Sequence, residues 1–261
     1  ICNASIITEG MRYAFKNCWG MKNSPCISSS IVQDLERKSF MGMVSHLRRI
    51  MTPLSDSAKV RAPHSLHAST WGMMCPCETP DGAKIGIRKN LSVCTHITSQ
   101  VSSHPIERFM KDCDAVIFPS SCGVADLRGY TMIHINGRPG GCTRDGPKLV
   151  RALRLMKRNG IINVYTSIAW NVSQHLISIC TDSGRCCRPV FTMTEQICDA
   201  IRFTSNDWTT CVFGTQQTNT KDYEPDTIYH TNVENFFGKK LDTIIDTLTT
   251  TAGCIEYIDV D

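Results

Sequence analysis

No run of about 18 apolar residues occurs anywhere in the 261-residue sequence, so nothing in it reads as a membrane-spanning helix. The longest uncharged stretch, Asn159 to Thr181, is filled with Asn, Ser, Gln and His. No internal repeat and no low-complexity tract appears, which sets aside solenoid arrays. Hydrophobic residues make up 41% and charged residues 20%, too ordinary a balance for wholesale disorder. The cysteines are too few for a disulfide scaffold. There are 15, about 6% of the chain, below the roughly 8–10% that marks such scaffolds. An odd number cannot all pair within one chain. The simplest expectation is a reducing compartment with free thiols. The sequons at Asn3, Asn90 and Asn171 then read as chance occurrences.

Charge is strongly segregated. The formal net charge is +4, yet residues 37–90 carry net +6, residues 128–188 net +8 and residues 195–261 net −8. A basic body and an acidic last quarter suggest separate modules. Basic blocks favour a polyanion such as nucleic acid, with a solvated basic face as the plainer reading. The chain opens at Ile1 and closes on an apolar segment turning acidic, Ile255 to Asp261. It reads as an internal piece of something longer.

Hydrophobic spacing predicts helices over residues 6–16 and, more loosely, over 31–49, where Val32, Leu35, Phe40, Met43, Val44 and Leu47 recur near helical period. Residues 51–63 read as an exposed loop. Residues 64–90, dense in Gly and Pro, read as a long ordered loop, the kind that usually carries function. Tyr130 to Ile135 alternates like a strand, and Asn136-Gly137 signals a turn. Asp145 and Pro147 mark the start of a helix with Leu149, Ala152, Leu153 and Met156 on its apolar face. Arg151, Arg154, Lys157 and Arg158 fill the rest, and Gly160 ends it. His175 to Thr181 reads as a strand, Asp182 to Gly184 as a turn, and Arg188 to Met193 as the return strand. Thr231 or Asn232 caps a helix over 232–250 with Val233, Phe236, Phe237, Leu241, Ile244, Ile245 and Leu248 as its core face.

The informative stretch is Ser45-His46-Leu47-Arg48-Arg49, a loop containing Thr52-Pro53, then Trp71-Gly72-Met73-Met74-Cys75-Pro76-Cys77-Glu78-Thr79-Pro80-Asp81-Gly82, then Gly86-Ile87-Arg88-Lys89-Asn90-Leu91. This order resembles the second-largest (β-type) subunit of multisubunit DNA-directed RNA polymerases, whose signature runs SHLRR, WG..CP.ETPEG and G..KNL. Later segments continue the likeness. Leu153 to Asn163 resembles LRR.G.IN, Thr181 to Phe191 resembles TD.GR..RP.F, and Gly253 to Asp259 resembles G.IEYID. Asp81 replaces the family's glutamate. The resemblance follows the eukaryotic, archaeal and viral branch, with viral and cellular sources both open.

The resemblance implies an α+β fragment of several modules, with mixed short sheets, helices and long ordered loops. Residues 1–105 would be the fork region beside the catalytic centre. Residues 106–194 would be a first external domain, and residues 195–261 part of a second. It implies template-directed RNA synthesis by the whole enzyme, a nucleotidyltransferase, and no productive nucleotide binding by this stretch alone. The Mg2+ of that reaction would sit mainly on aspartates of the largest subunit, and none on this chain. Partners would be the largest and other polymerase subunits, template DNA and the RNA–DNA hybrid, with no membrane. The setting would be intracellular: the nucleus in a eukaryotic cell, or host cytoplasm, nucleus or virion for a virus.

Within the motifs, Glu78 carries the role of an active-site-proximal acid. Its plainer reading is a carboxylate that holds the loop by hydrogen bonds. His46, Arg48 and Arg49 are candidates for nucleic-acid proximity, because a guanidinium grips phosphate with two parallel hydrogen bonds. An internal ion pair is the rival role. Lys59 and Arg61 flank the loop at residues 52–60 that resembles a fork loop, and residues 23–30 resemble the other. Trp71, Gly72, Cys75, Pro76, Thr79, Pro80, Gly82, Lys89 and Asn90 complete the motif. The basic helix at 148–158 reads as a solvated face. His64, His67, Cys75 and Cys77 form a conceivable zinc set, but their spacing is unusual and C-x-C is tight for chelation. The competing class is a free-standing basic nucleic-acid-binding module.

Overall fold

A computed structural model describes residues 4–16, 34–52, 54, 60–118, 129–192, 208–214 and 233–260. The chain divides into two compact units. One comprises residues 1–66 and 75–91, the other residues 67–74 and 92–261. The architecture is mixed α and β with several short sheets.

The first unit holds helix α1 (Ala4–Lys16), helix α2 (Phe40–Leu47) and a two-stranded ribbon of β1 (Arg49–Met51) and β2 (Arg88–Asn90). Ser39 starts α2: its hydroxyl accepts the Gly42 N–H at 3.0 Å. Such a cap satisfies an orphan donor and defines the first turn. The helix expected over 31–49 is therefore short, and its earlier part at 34–39 is not helical. The long loop at 64–90 is as irregular as its composition suggested, interrupted by single turns of 3-10 helix. Among the described residues of this unit burial is sparse. Ile87 and Asn90 are buried, whereas Ile6, Ile7, Met11, Phe40, Met41 and Leu47 are all exposed.

The second unit has a true core. Its five-stranded sheet runs β4 (Val116–Ile117), β6 (Arg138–Thr143), β5 (Thr131–Ile135), β8 (Leu176–Cys180) and β7 (Ser167–Asn171). Only β5 and β8 pair in parallel, since the chain makes the crossover through α4 (Gly146–Arg158). Asn136 and Gly137 take left-handed backbone angles, φ 49° and 75°, and turn β5 into β6 as that dipeptide predicts. Asp145 caps α4 through the Lys148 N–H at 3.4 Å. Leu149, Ala152, Leu153 and Met156 are all buried. They pack with Ile133 and Ile177 of the sheet and with Phe109 of α3 (His104–Asp112).

Two expectations are corrected here. Strand β9 (Cys186–Phe191) does not return beside β8. It lies in a three-stranded antiparallel sheet between β3 (His96–Ile97) and β10 (Ile255–Ile258). The β8 edge that a hairpin would have used is taken on one side by β5 and on the other by β7. The helix expected over 232–250 is also shorter. Among the described residues α5 (Trp208–Phe213) is followed by α6 (Leu241–Thr249), which is preceded by turns in which Gly238 has φ 70°. The apolar positions still serve: Val233, Phe236, Leu241, Ile244, Ile245 and Leu248 are buried in the core. Thr231 and Asn232 lie outside the described residues.

Candidate functional site

Three of the motifs lock together through their parts in the first unit. Helix α2 carries Ser45 and His46, and the chain passes directly into β1 through Arg48 and Arg49. The Ser45 hydroxyl donates to Glu78 Oε1. The Glu78 carbonyl accepts from Asn90 Nδ2 at 3.2 Å, and the Asn90 carbonyl accepts the Cys75 N–H at 2.8 Å. Thr79 closes the loop from its other side. Its hydroxyl donates to the Arg88 carbonyl at 3.0 Å and accepts the Gly86 N–H at 2.9 Å. The irregular segment is thus a hydrogen-bonded frame built largely on its own backbone.

Gly86 is demanded by closeness as well as by shape. It has φ 75°, and a Cβ there would stand 2.6 Å from the His64 carbonyl oxygen. His64 Nδ1 in turn lies 2.5 Å from the Ile85 carbonyl. This histidine therefore braces the loop. Among the described residues no group of three or more His, Cys, Asp or Glu gathers that could hold a metal.

The ribbon sets the basic residues. Arg49 pairs with Asn90, Ile50 with Lys89 and Met51 with Arg88. Alternation along a strand puts Arg49, Arg88 and Asn90 on one face and Ile50 and Lys89 on the other. Arg48, Arg49, Arg88 and Lys89 are half-exposed, and Arg61 is exposed. His46 Nδ1 accepts the Glu36 N–H at 3.0 Å, so one ring nitrogen is spent on structure. Glu78 itself is exposed, and its second oxygen makes no bond among the described residues. Asn90 is buried, with its side-chain oxygen unpaired. Pro76, Pro80 and Gly82 stand around Glu78 on partly or fully exposed loop. Lys59 lies outside the described residues, as do residues 23–30 and most of the loop at 52–60.

Trp71 and Gly72 fold with the second unit. The Arg188 guanidinium donates to the Trp71 carbonyl, and Thr95 donates to the carbonyls of Gly72 and Met73 at 3.1 and 2.6 Å. The Trp71 side chain is 60% exposed, a large aromatic with no packed role in that unit.

The basic helix expected to show a solvated face does so only in part. Arg151 and Arg154 are exposed, but Lys157 is 3% exposed. Its Nζ donates to the Tyr257 carbonyl at 2.6 Å and lies 3.6 Å from Glu256. Arg158 pairs with the same carboxylate at 2.7 Å, and Arg185 pairs with Asp259 at 2.5 Å. Burial outweighs the attraction of Glu256 and pulls the Lys157 ammonium below its usual pKa. Charge counting along the sequence cannot find this cluster, because its acids lie 74 to 99 residues from the bases they pair with.

Residues 33–97 match the family described as RNA polymerase Rpb2, domain 3, and residues 133–194 match RNA polymerase Rpb2, domain 4. The chain is 35% identical over 194 residues to DNA-directed RNA polymerase II subunit RPB2 of Encephalitozoon cuniculi, covering 74% of this chain and 17% of that protein. It is 34% identical to DNA-directed RNA polymerase II subunit 2 of Arabidopsis thaliana, over 74% of this chain and 16% of the relative. It is likewise 34% identical to DNA-directed RNA polymerase III subunit RPC2 of Drosophila melanogaster, over 71% and 16%. The chain spans about a sixth of the length of these relatives, 16–17%. Two adjoining domain matches in the right order, together with the interlocked motifs, show that it belongs to the second-largest-subunit family of DNA-directed RNA polymerases, over the region of domains 3 and 4.

Proposed function

We propose that this chain shapes the active-site cleft of a DNA-directed RNA polymerase around downstream DNA and the RNA–DNA hybrid. In this reading residues 1–105 are the fork region, residues 106–194 a first external domain and residues 195–261 part of a second. The carrying observation is the frame joining Ser45 to Glu78 and Arg49 to Asn90. It holds Arg49, Arg88 and Lys89 on one short ribbon, with Arg48 at its entry, beside an exposed carboxylate. Guanidinium groups on a ribbon suit phosphate oxygens, which position nucleic acid without reading its sequence. His46, Lys59 and Arg61 are the further nucleic-acid-proximal residues in this reading. Glu78 lies close to the reacting centre and its mobile parts, held by Ser45 through one carboxylate oxygen.

The Mg2+ ions of nucleotidyl transfer, which stabilise the attacking and leaving oxygens, are held mainly by the largest subunit. The donors found here suit loop bracing rather than chelation. Partners are the largest and other polymerase subunits, template DNA and the hybrid. The site of action is the compartment that holds the template, the nucleus in a eukaryotic cell. The rival reading, a free-standing basic module, loses support because Lys157, Arg158 and Arg185 are spent on internal carboxylates.

The test tags this subunit at full length, purifies the polymerase and measures nucleotide addition in preassembled elongation complexes. Glu78→Gln, and separately Arg48→Ala with Arg49→Ala, should slow elongation while the assembly stays intact. The expected loss is about tenfold if one interaction of about 1.4 kcal/mol reaches the transition state. Unchanged elongation in both variants would reject the cleft role. A tagged preparation without a largest subunit or template-directed incorporation would reject the polymerase reading itself.

A further inference from the structure

Among the described cysteines, one pair stands out. Cys211 lies on α5 and Cys254 just before β10, and both side chains pack against the same small cluster, within electrostatic reach of each other. Both are half-exposed and free. They border a small apolar cluster of Val164, Val212 and Ile255, separate from the main core.

Two glycines bring them together. Gly253 packs so that a Cβ would stand 2.7 Å from the Cys211 carbonyl oxygen. Gly214, with φ 74°, makes an even closer approach to the Thr251 carbonyl. The backbone of Cys254 is pinned besides, since its carbonyl accepts the Thr192 N–H at 2.9 Å. The two cysteines are 43 residues apart in sequence and touch because two backbones meet without side chains between them.

We propose that Cys211 and Cys254 form a reversible disulfide, a redox modification site that ties α5 to the chain entering β10. The oxidant is a peroxide. The Cys211 thiolate attacks one peroxide oxygen, the O–O bond breaks, and water leaves as Cys211 becomes a sulfenic acid. Cys254 sulfur then attacks the Cys211 sulfur, the S–O bond breaks, and a second water leaves with the thiol proton. Two electrons and two protons pass from the dithiol to hydrogen peroxide, giving one S–S bond and two waters. Burial, and then the neighbouring Cys211, raise the Cys254 thiol above its ordinary pKa. Cys254 is therefore the resolving partner rather than the attacking one. Cys186 and Cys187 are adjacent, but alternation along β9 turns them to opposite faces.

The experiment exposes the purified, intact protein to graded hydrogen peroxide, blocks remaining thiols by alkylation and digests it without reductant. Mass spectrometry should find a peptide pair linked through Cys211 and Cys254, two hydrogens lighter than the reduced pair. Dithiothreitol should remove it. Cys211→Ser and Cys254→Ala should each abolish the linked pair, and in Cys211→Ser the other cysteine should not pair elsewhere. Separate alkylation of both thiols at peroxide levels that oxidise other cysteines would overturn the proposal. So would linkage of either one to a different cysteine. The wild-type mapping needs no variant, so it stands even where a variant folds poorly, and it is independent of the polymerase reading.

Discussion

Glu256 joins the most consequential side chains of the second unit. It faces Lys157 and Arg158, and its own side chain is only 10% exposed. Removing one member of a buried ion cluster leaves charge without compensation, which typically costs about 3–5 kcal/mol. Glu256→Ala should cost about 3 kcal/mol, the lower end, because Lys157 keeps the Tyr257 carbonyl. Chemical denaturation checks this, and Glu256→Gln should lose less. Cys187 makes a second residue-scale prediction. Burial first raises its thiol, opposed by the Lys157 and Arg185 charges, to about 11 from 9.0. A raised folded pKa means that the contribution is fully present below 9.0 and is lost as pH rises through about 11. Cys187→Ala should therefore flatten the alkaline fall in stability over that window, read as melting temperature against pH. Sequence showed where the notable residues lie, such as Glu78 inside its prolines, but not their partners. Ser45 as the holder of Glu78 and Glu256 as the partner of Lys157 arise only when distant segments meet.

The elements were more legible than the contacts between them. Capping and turn chemistry is local, so Asp145 before α4 and Asn136-Gly137 after β5 could be read from neighbouring residues. Period alone was less dependable. The apolar spacing from Val32 to Leu47 suggested a helix far longer than α2, and the Ser39 cap decided where it starts. Strand pairing was least legible. Strand β9 reads as a hairpin partner of β8, yet it bridges β3 and β10, because pairing depends on which edges tertiary packing leaves open. The Gly86 turn supplies the element-scale prediction. Gly86→Ala combines a left-handed backbone with a Cβ driven onto the His64 backbone. Strain of this kind costs about 1–3 kcal/mol. The loop frame around Thr79 and Asn90 should open, seen as faster amide exchange across residues 75–91.

At the scale of the whole molecule the two units differ in what sustains them. The second buries Phe109, Met110, Ile133, Leu153 and Ile177 in one continuous core. Among its described residues the first buries little, and no residue of α2 is buried. Stability follows apolar burial, so limited proteolysis of the isolated chain should cut within residues 34–66 first. The stretch from Thr131 to Phe191 should survive longest. Equal resistance of both parts would contradict this. Phe40, Met41 and Leu47 are exposed by more than two-thirds.

Sequence by itself determined the family and the order of its segments. Contiguous motifs such as Ser45 to Arg49 and Cys75 to Gly82 are written in adjacent residues and need no folding to be read. It also determined the local signals that start and stop elements. Only the tertiary structure decided which charges are solvated and which are buried, which strand edges pair, and which of many thiols touch. Those outcomes depend on desolvation and close packing between segments far apart in the chain. Net charge and spacing carry no record of them.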